Sequence, residues 1–229
     1  MDTINNNVNG FNYEKSLKDR SSHIVNKFII IEKYINRPLA SLIVRAVYNT
    51  RVTPNGLTYL NFILGLLAAY LFSRGQYIDF VLGGIAIQLS SIVDCADGML
   101  ARAKNMCSEY GASLDIFLDR ITDFFVVAGI TVGLYTSTDD INLLITGFLA
   151  AGLLNLQISL FYISNHYSQK SETGLTGEAR AFMMLLILIA AVASFLDIFI
   201  YLLTAQTIIN ILCRIAHFIY LGKRKSELK

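Results

Sequence analysis

No tryptophan occurs in the 229 residues, and proline appears only at Pro38 and Pro54. Long unbroken helices are therefore allowed along most of the chain. Charge is scarce too. Only 16% of residues are charged and 54% are hydrophobic, where a soluble domain carries about 25% charge. That deficit argues against an ordinary soluble domain and points to a bilayer. Cys95, Cys107 and Cys213 are odd in number and too sparse for a disulfide framework. His23, His166 and His217 are too scattered for a zinc site. Free thiols and isolated histidines are expected. The net charge is +2 and no nucleic-acid partner is expected. Residues Met1 to Tyr13 are polar and lack the basic start and apolar core of a signal peptide, so insertion is expected to rely on internal spans.

What the chain does have is apolar length. A helix needs about 20 apolar residues to cross the hydrocarbon core, and six candidates occur, at about 56–73, 79–100, 112–136, 141–164, 180–197 and 198–220. The last two are parted only by a short turn near Asp197. No alternating strand pattern appears, and backbone groups in lipid must be satisfied internally. The expected fold class is all-α, a polytopic membrane bundle of six transmembrane helices preceded by an amphipathic interfacial helix. The segment 24–51 supplies that helix. Ile24, Val25, Phe28, Ile31, Ile35, Leu39, Leu42 and Ile43 form an apolar face interrupted at Pro38, with Lys27, Lys33, Arg37 and Arg45 among them. The chain divides into a polar N-terminus (1–23), a juxtamembrane segment (24–53), a membrane domain (54–222) and a basic tail (223–229).

Lysine and arginine set the orientation. Eight basic residues from Lys15 to Arg51 precede the first span. Arg102 and Lys104 lie between spans two and three, Lys170 between four and five, and Lys223, Arg224, Lys225 and Lys229 follow the sixth. The opposite side carries only Arg74, with Asp139 and Asp140. The positive-inside rule then places both termini and the 101–111 and 165–179 loops in the cytosol.

Against this apolar background the segment Ser90–Phe125 is dense in acids. Asp94 and Asp97 lie near the cytosolic end of span two; Asp115, Asp119 and Asp123 follow four apart at the start of span three. At 100° per residue, Asp94 and Asp97 are about 60° apart and Asp115 and Asp119 about 40° apart, so each pair shares a helical face. The short link between the spans lets the two faces oppose each other. Asp119 lies about 10 Å into its span, and a carboxylate that deep costs on the order of 2.5–3.5 kcal/mol. Converging carboxylates also repel each other. Divalent cations answer both costs. All-oxygen donors favour magnesium, manganese or calcium over zinc. Two ions about 3.5–4 Å apart could grip the entering and leaving oxygens of an in-line displacement. Between the acids, Gly98 and Ala101 leave a groove for a flat base or sugar, Arg102 suits a phosphate, and Gly111 precedes a helix start that favours phosphate.

Asp94-x2-Asp97-Gly98-x2-Ala101-Arg102-x8-Gly111-x3-Asp115-x3-Asp119 resembles the complete signature of the CDP-alcohol phosphotransferases. Its eight fixed positions, at about one in fifteen each, match by accident less than about once in a billion windows. In weaker form the resemblance runs from about Asn36 to Arg180 and includes the Thr53-Pro54-Asn55 entry to span one. It implies displacement of CMP from a CDP-linked alcohol by an acceptor hydroxyl, with two Mg2+ or Mn2+ ions. By position, Asp94, Asp97 and Asp115 would be the main metal ligands, with Asp119 serving the second metal or acting as base. Gly98, Ala101, Arg102 and Gly111 would cradle the cytidine and phosphates, joined by Asn55 and Thr58 unless these serve helix packing.

Arg180 resembles the family's phosphate-holding arginine for donor or acceptor; its alternative is a snorkelling arginine at the cytosolic boundary. Arg120 and Asp123 read as a pair that orients the acids. Arg214 fits either the pocket or a headgroup contact. Asn61, Gln88, Asn155 and Gln157 read as interhelical hydrogen-bond partners. Gly129-x3-Gly133, with Gly147, Ala151 and Gly152, suits close helix packing, either within the chain or in the homodimer common in the family.

The expected donor is a CDP-linked lipid or alcohol and the expected acceptor a hydroxyl compound. The basic cluster at the mouth and Arg180 favour a phosphorylated one. A phosphatidylinositol-phosphate or phosphatidylglycerophosphate type of synthesis fits best; transfer from a small CDP-alcohol is the alternative. A divalent-metal transporter is the remote one. From Ile121 to Gln169 the only acids or bases besides His166 are Asp123, Asp139 and Asp140, so no polar path continues to the far side.

Overall fold

In a computed structural model, residues 32–168 and 174–227 are described, and all of their regular structure is helical. A π-helical turn, Glu32–Asn36, leads into α1 (Arg37–Val47). Six long helices follow: α2 (Pro54–Ser73), α3 (Tyr77–Ala103), α4 (Glu109–Thr138), α5 (Ile141–Ser168), α6 (Gly174–Val192) and α7 (Leu196–Glu227). Helices α2, α3, α5 and α7 are long and apolar enough to cross a membrane. α6 holds a shorter apolar stretch, Arg180–Val192. The 30-residue α4 carries Asp115, Asp119, Arg120 and Asp123. This is a membrane protein.

Local chemistry explains the helix ends. Thr53 caps α2 by accepting from the Gly56 N–H at 3.2 Å, with Pro54 in the first turn, where its missing N–H costs nothing. Ser108 caps α4 the same way, accepting from Gly111 N–H at 3.0 Å. Between α2 and α3 the turn passes through Gly75 at φ +72°, a backbone state open mainly to glycine. α4 ends at Asp139, in the left-handed region.

Two boundaries differ from expectation. The break between the last two helices falls at residues 193–195, where Ser194 has φ +61°. Asp197 instead occupies the first turn of α7, where a carboxylate meets the positive end of the helix dipole. Pro38 does not interrupt the juxtamembrane helix either. It sits in the first turn of α1, directly after the π-turn. Ile24, Val25, Phe28 and Ile31 lie outside the described residues. Asn36, Ala40 and Val44 are the ones buried against the bundle, while Leu39 and Leu42 face outward.

The helices pack as a ring in the order α2, α3, α6, α7, α5, α4, closed by α4 on α2. α1 lies along α3. α3 and α4 each run along α2 rather than along one another. Helix α2 shows why. Its inward positions, Thr58, Asn61, Gly65, Ala68 and Ala69, are small or polar, while Tyr59, Leu60, Ile63, Leu67 and Tyr70 point out. In a bilayer, close packing of small residues holds helices together, and large apolar side chains lose nothing by facing lipid. A Cβ on Gly129 would collide with the Ala69 carbonyl, one on Gly133 with the Phe72 carbonyl, and one on Gly65 with Thr122. Gly129 and Gly133 therefore serve packing within the chain, as Gly147 does against Thr131.

Gly133→Val is expected to lower the unfolding midpoint of the detergent-purified protein, because overpacking typically costs about 1–3 kcal/mol. Gly152→Ala, where an added Cβ meets nothing within 4 Å, is expected to leave the midpoint unchanged.

Candidate active site

The site forms at one end of the bundle, where α3 nears its C-terminus and α4 has just begun. Oxygens of Asp94, Asp97 and Asp115 come within 4.8 Å of one another. Asp97 is 7% exposed and its Oδ2 accepts from Thr58 Oγ1 at 2.7 Å. Asp115 Oδ1 is buried without a hydrogen-bond partner among the described residues. Asp119 lies ten residues into α4, about 15 Å along it. It stands beside the trio, and Arg180 Nη1 contacts both its Oδ1, at 2.9 Å, and Asp94 Oδ1, at 3.5 Å.

Arg180 is the centre of the neighbouring network. Only 8% exposed, it reaches in from α6, and its Nε donates to Asp123 Oδ1 at 3.0 Å. Asp123 is paired on its other oxygen with Arg120, at 3.2 Å. The snorkelling alternative for Arg180 is thus set aside: its head lies among carboxylates rather than at a helix boundary. The expected Arg120–Asp123 pair is present, with Arg180 as a third member.

The other motif residues line the same end. Arg102 is exposed, and its guanidinium lies over Gly98, 3.4 Å from where a Cβ would stand. A Cβ on Gly111 would come within 3.1 Å of Asn55 Oδ1. The missing side chain thus lets the N-termini of α2 and α4 approach. Ala101 is half-buried on α3. Thr58 points at Asp97, from inside the bundle.

Sequence reasoning placed Asn61 correctly as an interhelical partner but missed its targets. Its Nδ2 donates to Asp94 Oδ1 at 3.0 Å and reaches Asp119 Oδ1 at 3.4 Å. The available signal was spacing: Thr58, Asn61 and Gly65 share one face of α2. Gln88 also bridges helices, donating to Asn36 Oδ1 at 2.9 Å. Asn155 donates within its own helix, to Ala151 O at 3.1 Å, and Gln157 Oε1 is buried without a partner among the described residues.

Five carboxylates, Asp94, Asp97, Asp115, Asp119 and Asp123, share this space with two guanidinium groups. Fully ionised, they leave a surplus of negative charge in a buried setting. Three converging carboxylates, one with an orphaned buried oxygen, form a hard all-oxygen donor set. The residues fit a divalent cation.

A family model described as CDP-alcohol phosphatidyltransferase matches residues 51–219. The chain belongs to this family. Within it, the chain is 36% identical over 109 residues to the bifunctional IPC transferase and DIPP synthase of Aquifex aeolicus, covering 48% of this chain and 24% of that one. It is 39% identical over 82 residues to the archaetidylinositol phosphate synthase of Pyrococcus horikoshii, covering 36% and 42%. The chain therefore spans about a quarter of the length of the bifunctional relatives it matches. The family fold is also met in a crystal structure of phosphatidylinositol phosphate synthase from Mycobacterium tuberculosis, with a TM-score of 0.64 and 21% identity, covering 76% of this chain and 93% of that one. Other crystals of that synthase hold manganese with citrate, or CDP-DAG.

Asp123 is 2% exposed and sits between Arg120 and Arg180. Breaking a buried pair from one side costs about 3–5 kcal/mol. Asp123→Ala is therefore expected to lower the unfolding midpoint sharply, and Asp139→Asn, at an exposed position at the far end whose left-handed backbone asparagine tolerates, to leave it nearly unchanged.

Proposed function

We propose that this chain is a membrane transferase that moves a phosphatidyl group from a CDP-linked lipid to a phosphorylated alcohol, releasing CMP. The observation that carries this is the convergence of Asp94, Asp97 and Asp115 at one end of an apolar bundle, on the family's own signature. Asp94, Asp97 and Asp115 would hold divalent cations, Mg2+ or Mn2+, with Asp119 serving a second ion or the acceptor. Such ions supply charge neutralisation at the diphosphate oxygens.

The remaining work falls to the protein's own groups. Gly98 and Ala101 leave space on α3 for the cytidine, and Arg102 lies over that space to meet phosphate. Gly111 and Asn55 place two helix N-termini together, where backbone N–H groups favour anions. Thr58 fixes Asp97. An acceptor hydroxyl attacks the phosphorus that bears the lipid alcohol; the bond from that phosphorus to the CMP oxygen breaks, and the hydroxyl proton passes to Asp119. Arg180 Nη2 is buried with no partner among the described residues, a donor that a phosphate oxygen can use. The relatives named as inositol-phosphate lipid synthases support an inositol phosphate as acceptor.

The same reading takes α2 to α7 as six membrane spans and α1 as lying in the headgroup plane, its Leu39 and Leu42, with Tyr34 of the preceding turn, exposed to lipid. The basic residues flanking the site end support a cytosolic position for that end and for both termini.

The test is CMP release by purified protein in lipid with Mg2+ or Mn2+. CDP-diacylglycerol is paired with inositol 1-phosphate, glycerol 3-phosphate or serine; a second arm uses small CDP-alcohols. Inositol phosphate with CDP-diacylglycerol is expected to be fastest. Asp97→Asn and Asp115→Asn are each expected to lose about two orders of magnitude or more, with membrane insertion intact. Wild-type turnover in both variants defeats the assignment.

A further inference from the structure

Asn61 sits in the middle of an otherwise apolar helix, 2% exposed. A buried amide is costly unless its hydrogen bonds are made, and both contacts of its NH2 group lead to the acids. Its Nδ2 donates to Asp94 Oδ1 on α3 at 3.0 Å and reaches Asp119 Oδ1 on α4 at 3.4 Å. Its Oδ1 accepts from the Ser90 hydroxyl, which also lies 3.2 Å from the Asn61 backbone carbonyl. Ser90 is itself fully buried.

This arrangement fixes the amide's direction. Carboxylates can only accept when ionised and the Ser90 hydroxyl needs an acceptor, so the NH2 end must face the acids and the oxygen must face Ser90. The amide also bridges two helices that do not run along each other. α3 and α4 both pack on α2, and among the described residues Asn61 is the α2 side chain that touches a carboxylate on each. Arg180 contacts the same two oxygens from the opposite wall. Its long, charged side chain supplies counter-charge, whereas the short amide supplies position.

We infer that Asn61, oriented by Ser90, is a positioning residue that sets the distance between Asp94 in the metal-binding cluster and Asp119, the acid proposed to meet the acceptor. The inference rests on the proposed metal-dependent transfer. Thr58 does the analogous task for Asp97 on the same helix face, so α2 lends the site two neutral donors and no charge. An aspartate at position 61 would keep the shape but replace a donor by another acceptor, adding a sixth carboxylate to the crowd.

The experiment measures Mn2+ affinity of the purified protein without donor or acceptor, alongside kcat and KM for CMP release and the thermal unfolding midpoint. Wild type is compared with Asn61→Ala, Asn61→Asp, Asn61→Ser and Ser90→Ala, with Asp97→Asn as the reference. Loss of an outer contact that orients a metal ligand typically costs 10–100-fold in affinity or activity. Asn61→Ala is expected to weaken Mn2+ binding about 10-fold and to lower kcat by a similar factor, with KM for the donor little changed. Asn61→Asp is expected to lower kcat further, and Ser90→Ala to fall between Asn61→Ala and wild type. A purely structural role predicts a lower midpoint with unchanged Mn2+ affinity in the folded fraction, and that result overturns the inference. So do wild-type affinity and kcat in Asn61→Ala. If Asn61→Ala does not fold, wild-type values in both Asn61→Ser and Ser90→Ala overturn it instead. Undiminished Mn2+ binding by Asp97→Asn, by contrast, brings down the metal-site reading itself.

Discussion

Carboxylate crowding is the constraint around which this bundle is built. Asp94, Asp97 and Asp115 meet within 4.8 Å, and Asp119 and Asp123 stand directly behind them. In a medium of low dielectric such a group repels itself strongly. Left alone, it would push α3 and α4 apart. Arg180 and Arg120 offset part of the repulsion, and both are placed on the Asp119–Asp123 side. On the Asp97–Asp115 side, by contrast, the hydrogen bond comes from a neutral donor, Thr58. The protein thus offsets the deep half of its acid cluster with its own cations, and the proposed metal-dependent transfer gives the shallow half to ions from outside.

That division depends on α2. Because α3 and α4 both pack against it, their separation is fixed by how closely each can approach α2. Glycines at 65, 129 and 133 set that approach on the α4 side. The Gly65 contact, on Thr122, lies right beside Asp123, whereas those of Gly129 and Gly133 lie about three and four turns beyond Asp119; together they bear on how Asp94 and Asp115 face each other. A single long lever connects packing at one end of the bundle to carboxylate geometry at the other. Dispersion between close-packed small residues is the main attraction available between helices in lipid, so the lever is made of the same material as the fold.

Much of this was legible in the sequence. The acids announced themselves because charge in an apolar span is costly and therefore conspicuous, and their spacing fixed which faces they share. Arg120 with Asp123 was legible for the same reason. Neutral polar residues were harder. Asn61 and Thr58 lie in a span whose composition permits packing and hydrogen bonding alike, and a linear pattern does not say which helix stands opposite. The apolar pattern of α1 did not say which residues meet the bundle: Leu39 and Leu42 face outward, while Asn36, Ala40 and Val44 fill the contact. Asp197 misled as a turn signal because an acid can equally well open a helix. Arg180 defied its position at a span boundary because five nearby acids outbid solvent for its head.

The one-sidedness of the cluster bears on the chemistry proposed for it. A charged donor group joined to a lipid cannot leave the membrane surface without dragging its chains into water, so the acids must come to it. Asp119 lies about 15 Å along α4, deep enough that a diphosphate entering from the helix ends reaches Asp97 and Asp115 before the deeper pair with Arg180. An acceptor that carries its own phosphate then finds Arg180 Nη2 still lacking a partner among the described residues. At the far end Asp139, Asp140 and the Arg74–Asp79 pair lie beyond an apolar stretch of α4 that includes Val126, Val127, Ile130 and Leu134. Between Asp123 and Asp139 α4 carries no charged side chain, so nothing in it draws ions from the acids to the far end. A one-sided cluster of acids fits transfer at one surface better than passage through the bundle.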